Sequence, residues 1–214
     1  MKLEYLEHQS IRQPQQLVIL LHGYGANGHN LISLASSFSK ALPNALFIAP
    51  HAPFQLSGYH HEAFQWFAFD QNDKQSMVHG LEEAARILCD FIEDRISVMS
   101  LKPQDVVLIG FSQGTMVALH VLLYKMPVRC VVGYSGMLLS HSRPIVEHAN
   151  ASNVLLIHGA KDSIIPSHAM YEAQEALVKL GITCEAVIRP NLAHSIDNEG
   201  LAKAGSFLAN VFKE

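Results

Sequence analysis

A chain of 214 residues has the length of one α/β unit, and a single domain over 1–214 is expected. Apolar residues make up 49% and charged residues 16%, enough for a sizeable core, while a net charge of −4 without any Lys/Arg cluster excludes an electrostatic footprint for nucleic acid. Cys89, Cys130 and Cys184 are odd in number, widely spaced and set in apolar stretches, which reads as buried free thiols in a reducing compartment and not as a disulfide framework or a metal site.

The N-terminal residues 1–9 lack the apolar core of a signal peptide, and no apolar run reaches membrane-spanning length, so a cytoplasmic protein without a transmembrane segment is expected. Residues 17–21 form a continuous apolar strand and 31–42 carry helical spacing. Residues 45–49 are a second strand, closed by Pro50. From Met77 to Met99 the apolar positions Leu81, Ala85, Leu88, Ile92 and Ile96 recur at three- and four-residue steps, predicting the longest helix, with Ser76 as its cap. Then follow a strand over 105–109, a helix over 113–124, a strand over 129–134, a strand over 153–157, a helix over 167–180, a strand over 183–188 and a helix over 197–212. Strands apolar on both sides, alternating with helices, predict a mostly parallel sheet covered on both faces.

Between the 105–109 strand and the 113–124 helix stands Gly110-Phe111-Ser112-Gln113-Gly114. With glycine near 7% of residues, a G-x-S-x-G arises by chance in roughly one chain in fifteen of this length, so the pentapeptide alone is weak. Its position gives it meaning. A serine on a sharp strand-to-helix turn needs glycines on both sides, and such a turn holds the hydroxyl above a sheet edge with a helix N-terminus beneath it. Gly133-Tyr134-Ser135-Gly136 fails the same test, because its closing glycine comes one residue early and Ser135 then ends a strand.

A nucleophilic serine needs a base, and the base needs an acid to fix its tautomer. On this architecture the order is Ser, Asp/Glu, His, each after a strand. Among the acids beyond Ser112, only Asp162 lies in a turn just after a strand; Glu172 and Glu175 fall in the next helix and Glu185 inside a strand. Of 13 histidines, order leaves His168 and His194. His168 sits in the first turn of a helix, where a histidine is usually solvated, whereas His194 follows a strand and precedes the last helix. Ser112, Asp162 and His194 are the expected triad. A base must be unprotonated, so kcat/KM should rise with pH across the ordinary histidine range.

The oxyanion needs two backbone N–H donors. Gln113, just after the nucleophile, is one, and the Tyr24 amide in the loop Leu21-His22-Gly23-Tyr24-Gly25 is the other. His22 is read as an anchor of that loop. The segment Gly23-Tyr24-Gly25-Ala26-Asn27-Gly28 also spells the dinucleotide fingerprint, but such a site wants an acid about 20 positions on, and none stands between Glu7 and Glu62.

Taken together, His22-Gly23-Tyr24-Gly25, Pro50-His51-Ala52-Pro53, Gly110-Phe111-Ser112-Gln113-Gly114, His158-Gly159-Ala160-Lys161-Asp162-Ser163-Ile164-Ile165-Pro166 and the late His194 resemble the phospholipase/carboxylesterase group of small α/β-hydrolases, which includes acyl-protein thioesterases. The resemblance spans nearly the whole chain. It implies hydrolysis of carboxylic esters or thioesters by a Ser-Asp-His triad, with neither metal nor cofactor. Two departures stand out: Ala193 replaces the usual glycine before the histidine, and the 54–73 loop keeps Trp66, Phe67 and Asp70 but adds Tyr59-His60-His61.

About eighteen residues separate the strand ending at 134 from the one beginning at 153, too few for a helical cap domain, so the cleft should be open. Met137 and Leu138, with Phe64, Trp66 and Phe67, are the expected acyl-binding residues. The substrate is then a small-molecule, lipid or acylated-protein ester, and homo-oligomerisation is left open. The rival readings are a peptidase or other hydrolase on the same fold, a catalytically inactive binding module, and a dinucleotide-binding protein.

Overall fold

The computed structural model describes residues 2–9, 13–59, 62–70, 72–139, 145–147 and 149–213. Seven strands form one sheet: β1 (Tyr5–Gln9), β2 (Gln16–Leu21), β3 (Ala45–Pro50), β6 (Val106–Phe111), β7 (Cys130–Tyr134), β8 (Asn153–Gly159) and β9 (Thr183–Arg189). Their order across the sheet is β1-β3-β2-β6-β7-β8-β9. Only β1 runs antiparallel; every other pairing is parallel. A short hairpin, β4 (Phe54–Gln55) and β5 (Phe64–Gln65), stands apart from this sheet.

Parallel strands need crossovers, and helices supply them on both faces. Alternate residues of each strand therefore enter different cores. Leu17, Ile19 and Leu21 of β2 and Val106 and Leu108 of β6 pack with the long α3 (Lys74–Met99), α4 (Gln113–Tyr124) and α5 (His168–Lys179). Val18, Leu20, Val107 and Ile109 face the other way, towards α1 (Gly28–Ile32), α2 (Ala35–Phe38) and α6 (Asn198–Val211). Strands buried on both sides read as unbroken apolar runs, which is why they were visible in the sequence.

Several elements differ from expectation. The helix over 31–42 is two short helices, because the serines compete with the helical ladder: Ser36 Oγ donates to the Ser33 carbonyl and Ser39 Oγ to that of Ser36. The cap of α3 is Asp73, whose carboxylate accepts from the Ser76 amide at 2.9 Å, so the helix begins a turn before Met77. β1 is an exposed edge strand without an apolar run, and β4–β5 had no periodicity to reveal it. Cys89 and Cys130 are buried and Cys184 is half-buried; all three are free. Burial pushes each thiol up to about 12.

Among the described residues, no helix is long and apolar enough to cross a membrane. No cap domain covers the C-terminal edge of the sheet among those residues. That edge, where β6, β8 and β9 end side by side with β7, carries the site.

Candidate active site

Ser112 joins β6 directly to α4, with no loop between them. Its backbone sits at φ 53° and ψ −116°, a conformation that non-glycine residues rarely adopt. The turn is held by the Ser112 N–H, which donates to the Tyr134 carbonyl at 2.8 Å. A methyl at Gly110 would overlap the backbone at Gly114 and Thr115, and one at Gly114 would overlap the Leu21 and His22 carbonyl oxygens. The flanking glycines are thus imposed by close backbone approach. Ser112 itself is 8% exposed, buried but reachable.

β8 delivers Asp162 three residues past its end. One carboxylate oxygen, Oδ1, accepts from the Ile164 and Ile165 amides, each at 2.9 Å. The other, Oδ2, lies 2.7 Å from His194 Nδ1 and 3.2 Å from His158 Nε2. Burial opposes ionisation of this carboxyl, yet His194 and the two amides outweigh it and hold Asp162 below the usual carboxylate range. A carboxylate so held is an acceptor, so His194 Nδ1 carries the hydrogen, and in the neutral imidazole Nε2 is then the nitrogen with a lone pair.

His194 lies in the loop between β9 and α6. A methyl at Gly159 would overlap the Leu192 and Ala193 carbonyls, so this glycine lets the His194 loop rest on the Asp162 turn. The Lys161 N–H donates to the Leu192 carbonyl at 2.9 Å. Arg189 Nε donates to Asp197 Oδ2 at 2.9 Å, closing the base of the loop. Ala193 makes its contact through the carbonyl, and its side chain meets solvent. The His194 ring stacks at a tilt on Phe111, centroids 4.9 Å apart, one residue before Ser112. No hydrogen bond joins His194 to the Ser112 hydroxyl here; in hydrolases that link often tightens only once substrate is bound.

Gln113 opens α4, so its N–H has no acceptor within the helix. The Tyr24 loop meets this turn closely: a Cβ on Gly23 would stand 3.2 Å from that of Ser112. His22 anchors the loop as expected, with Nδ1 donating to the Gly23 carbonyl at 2.7 Å and Nε2 accepting from the Ala52 amide at 2.9 Å. Burial pushes this imidazole down to about 4. His168, the rejected base, is an exposed residue at the start of α5.

The expected acyl-binding residues separate into two groups. Met137 and Leu138 line a groove of about 460 Å3, together with Met77, Leu139, Ile165 and Ala169. Trp66 and Phe67 do not reach it. Both are fully buried, and Trp66 Nε1 donates to the His22 carbonyl of the Tyr24 loop at 2.9 Å. The sequence offered no sign of this, since a buried brace and a groove wall are both aromatic. Phe64 stacks on His51 at 5.0 Å, and His60 and His61 lie outside the described residues. Among the described residues, no three His, Cys, Asp or Glu side chains are grouped to hold a metal ion.

A mostly parallel sheet with a serine at the sharp turn after a central strand defines an α/β-hydrolase. The chain belongs to the phospholipase/carboxylesterase family, whose pattern matches residues 7–212. It is similar to Esterase YpfH of Escherichia coli K12, 30% identical over 94% of this chain and 85% of that protein. Acyl-protein thioesterase 1 of Debaryomyces hansenii is 26% identical over 92% of this chain and 91% of its own. Among solved structures, esterase PE8 superposes with a TM-score of 0.87 at 31% identity, covering 99% of this chain and 100% of that one. Fold and family make the protein a carboxylic ester hydrolase.

Proposed function

We propose that this protein is a cytoplasmic serine hydrolase that cleaves carboxylic esters or thioesters through an acyl-enzyme. The observation that carries the reading is the 2.7 Å pair of His194 Nδ1 and Asp162 Oδ2 beside a serine held at φ 53°. Ser112 Oγ attacks the acyl carbon while His194 Nε2 takes its proton, and Asp162 stabilises the imidazolium. The amides of Gln113 and Tyr24 meet the negative oxygen of the tetrahedral intermediate. His194 then protonates the leaving alcohol or thiol as its bond to the acyl carbon breaks. Water attacks the acylated Ser112 by the same proton path, releasing the acid and restoring the hydroxyl. No step requires a metal or cofactor.

The acyl chain occupies the groove at Met137 and Leu138, which follow β7 next to the nucleophile. Lys74, His168 and Glu172 also line it, but its apolar side at Met137, Leu138 and Ile165 suits acyl chains longer than acetyl, and its open side admits a small-molecule, lipid or protein carrier. The decisive experiment is Ser112→Ala assayed on p-nitrophenyl esters, with fluorophosphonate labelling of the unaltered protein. Turnover should fall by several orders of magnitude in the variant, and the label should be found on Ser112. Near-normal turnover would refute the assignment. An unlabelled, inactive wild type would favour a binding module, and preference for peptides over esters a peptidase.

A further inference from the structure

The Tyr24 and Gln113 amides come from segments far apart in the chain, yet an oxyanion site works only if both donors are preset to the same point. A single short stretch, residues 64–67, touches both segments. Towards the Tyr24 loop, the Gly25 N–H donates to the Phe64 carbonyl and the Phe64 N–H to the Ala26 carbonyl, each at 2.9 Å. Two residues on, Trp66 Nε1 donates to the His22 carbonyl at 2.9 Å. Towards α4, the side-chain amide of Gln113 grips the same stretch. Its Oε1 accepts from the Trp66 backbone N–H at 2.8 Å, and its Nε2 donates to the Phe67 carbonyl at 2.7 Å. Gln113 is 1% exposed, so these bonds form out of water.

A carboxamide offers an acceptor and donors on one carbon, so it can pair with a backbone N–H and a neighbouring C=O at once, as another strand would. No aliphatic side chain of that length does either. Building on the reading of Ser112 as nucleophile, we infer that the Gln113 side chain is a positioning residue: by locking residues 64–67 it sets the spacing between its own N–H and the Tyr24 amide. Gln113 thus serves twice, its backbone facing the oxyanion and its side chain fixing where the second donor stands. Trp66 is the relay, passing that restraint to the His22 carbonyl.

A brace of this kind acts on the charge that develops in the transition state and much less on the ground-state ester, so its loss should fall on kcat and spare KM. The experiment measures kcat, KM and Tm on a p-nitrophenyl ester for Gln113→Met, Trp66→Phe and the double variant. Gln113→Met should lower kcat about tenfold to a hundredfold, short of the roughly hundredfold to thousandfold lost with an oxyanion donor itself. KM should stay within about threefold. The double variant should be little worse than Gln113→Met alone, because both substitutions cut one chain of contacts.

Unchanged kcat in Gln113→Met, a loss confined to KM, or effects that multiply in the double variant would overturn the inference. Should Gln113→Met not fold, Trp66→Phe decides by itself, since unaltered kcat there breaks the relay. Ser112→Ala separates the two levels: retained turnover in it removes the nucleophile reading, whereas an inactive Ser112→Ala beside a fully active Gln113→Met removes the brace alone.

Discussion

His158 Nε2 and His194 Nδ1 converge on one atom, Asp162 Oδ2, at 3.2 and 2.7 Å. His158 also reaches the Ile165 carbonyl at 2.8 Å, and since both partners are acceptors, Nε2 carries the hydrogen. This buried histidine ties the end of β8 to the turn that presents the carboxylate.

His158→Leu leaves two buried acceptors short of a donor, which costs about 1–3 kcal/mol of stability. The urea midpoint should fall accordingly, and kcat on a p-nitrophenyl ester should drop roughly tenfold as Oδ2 loses one of its two partners. His158→Gln retains an N–H at similar reach and should recover most of both. Indistinguishable midpoints and rates in wild type and His158→Leu would sink this role.

Gly114 and Gly58 are the same residue type in different surroundings. A methyl at Gly114 meets the Leu21 and His22 carbonyls, whereas one at Gly58 meets nothing within 4 Å and is opposed only by φ +87°. Gly114→Ala should therefore destabilise by about 3 kcal/mol or more and disturb the serine turn, with overpacking as the cause. Gly58→Ala should cost only about 1–2 kcal/mol, the left-handed backbone penalty. Denaturant titrations that ranked the two in the opposite order would contradict the close approach of α4 to β2.

His22 makes stability depend on pH. Burial is the main reason its imidazole sits at about 4, with the Gly23 carbonyl partly opposing and His51 adding to the shift. The unfolded chain takes up this proton near 6.5, so between 6.5 and about 4 the unfolded state binds more protons and stability falls as pH drops. The contribution is whole above that window and lost below it, about 3 kcal/mol across the range. Tm should decline more steeply from pH 7 to 4.5 in wild type than in His22→Gln. Parallel slopes would show that another group governs the acid limb.

Met137 tests the groove. Met137→Trp adds bulk to the apolar wall, and each methylene of the acyl chain displaced from it forfeits about 0.8 kcal/mol. Turnover of octanoyl and longer esters should fall at least about tenfold in kcat/KM while acetyl esters are spared. An equal fall for all chain lengths would place the acyl chain elsewhere.

Much of this molecule was legible before its structure. The helix at Gln113–Tyr124 and the central strands stood out because a two-sided parallel strand must be apolar at every position. Chain order and strand-end placement singled out Ser112, Asp162 and His194 from other serines, acids and histidines, and in the structure Asp162 and His194 stand 2.7 Å apart. What local pattern could not reveal was β1, an exposed edge strand held by its pairing with β3 and by Tyr5 against Phe91 and Arg95, and the split of 31–42, where serine hydroxyls outcompete a helical rhythm.

Trp66 and Phe67 mark the boundary most sharply. Backbone sterics and apolar periodicity act over a few neighbouring positions, so the order of residues was enough to tell which residue types stand at which strand ends. That the Trp66 ring turns inward to the His22 carbonyl and the backbone of Trp66 and Phe67 meets the Gln113 side chain, while Met137 and Leu138 line the groove, is visible only in the folded chain. Which way a side chain faces, and which distant carbonyl it meets, depends on long-range packing, and aromatic chemistry alone serves a brace and a groove wall equally well.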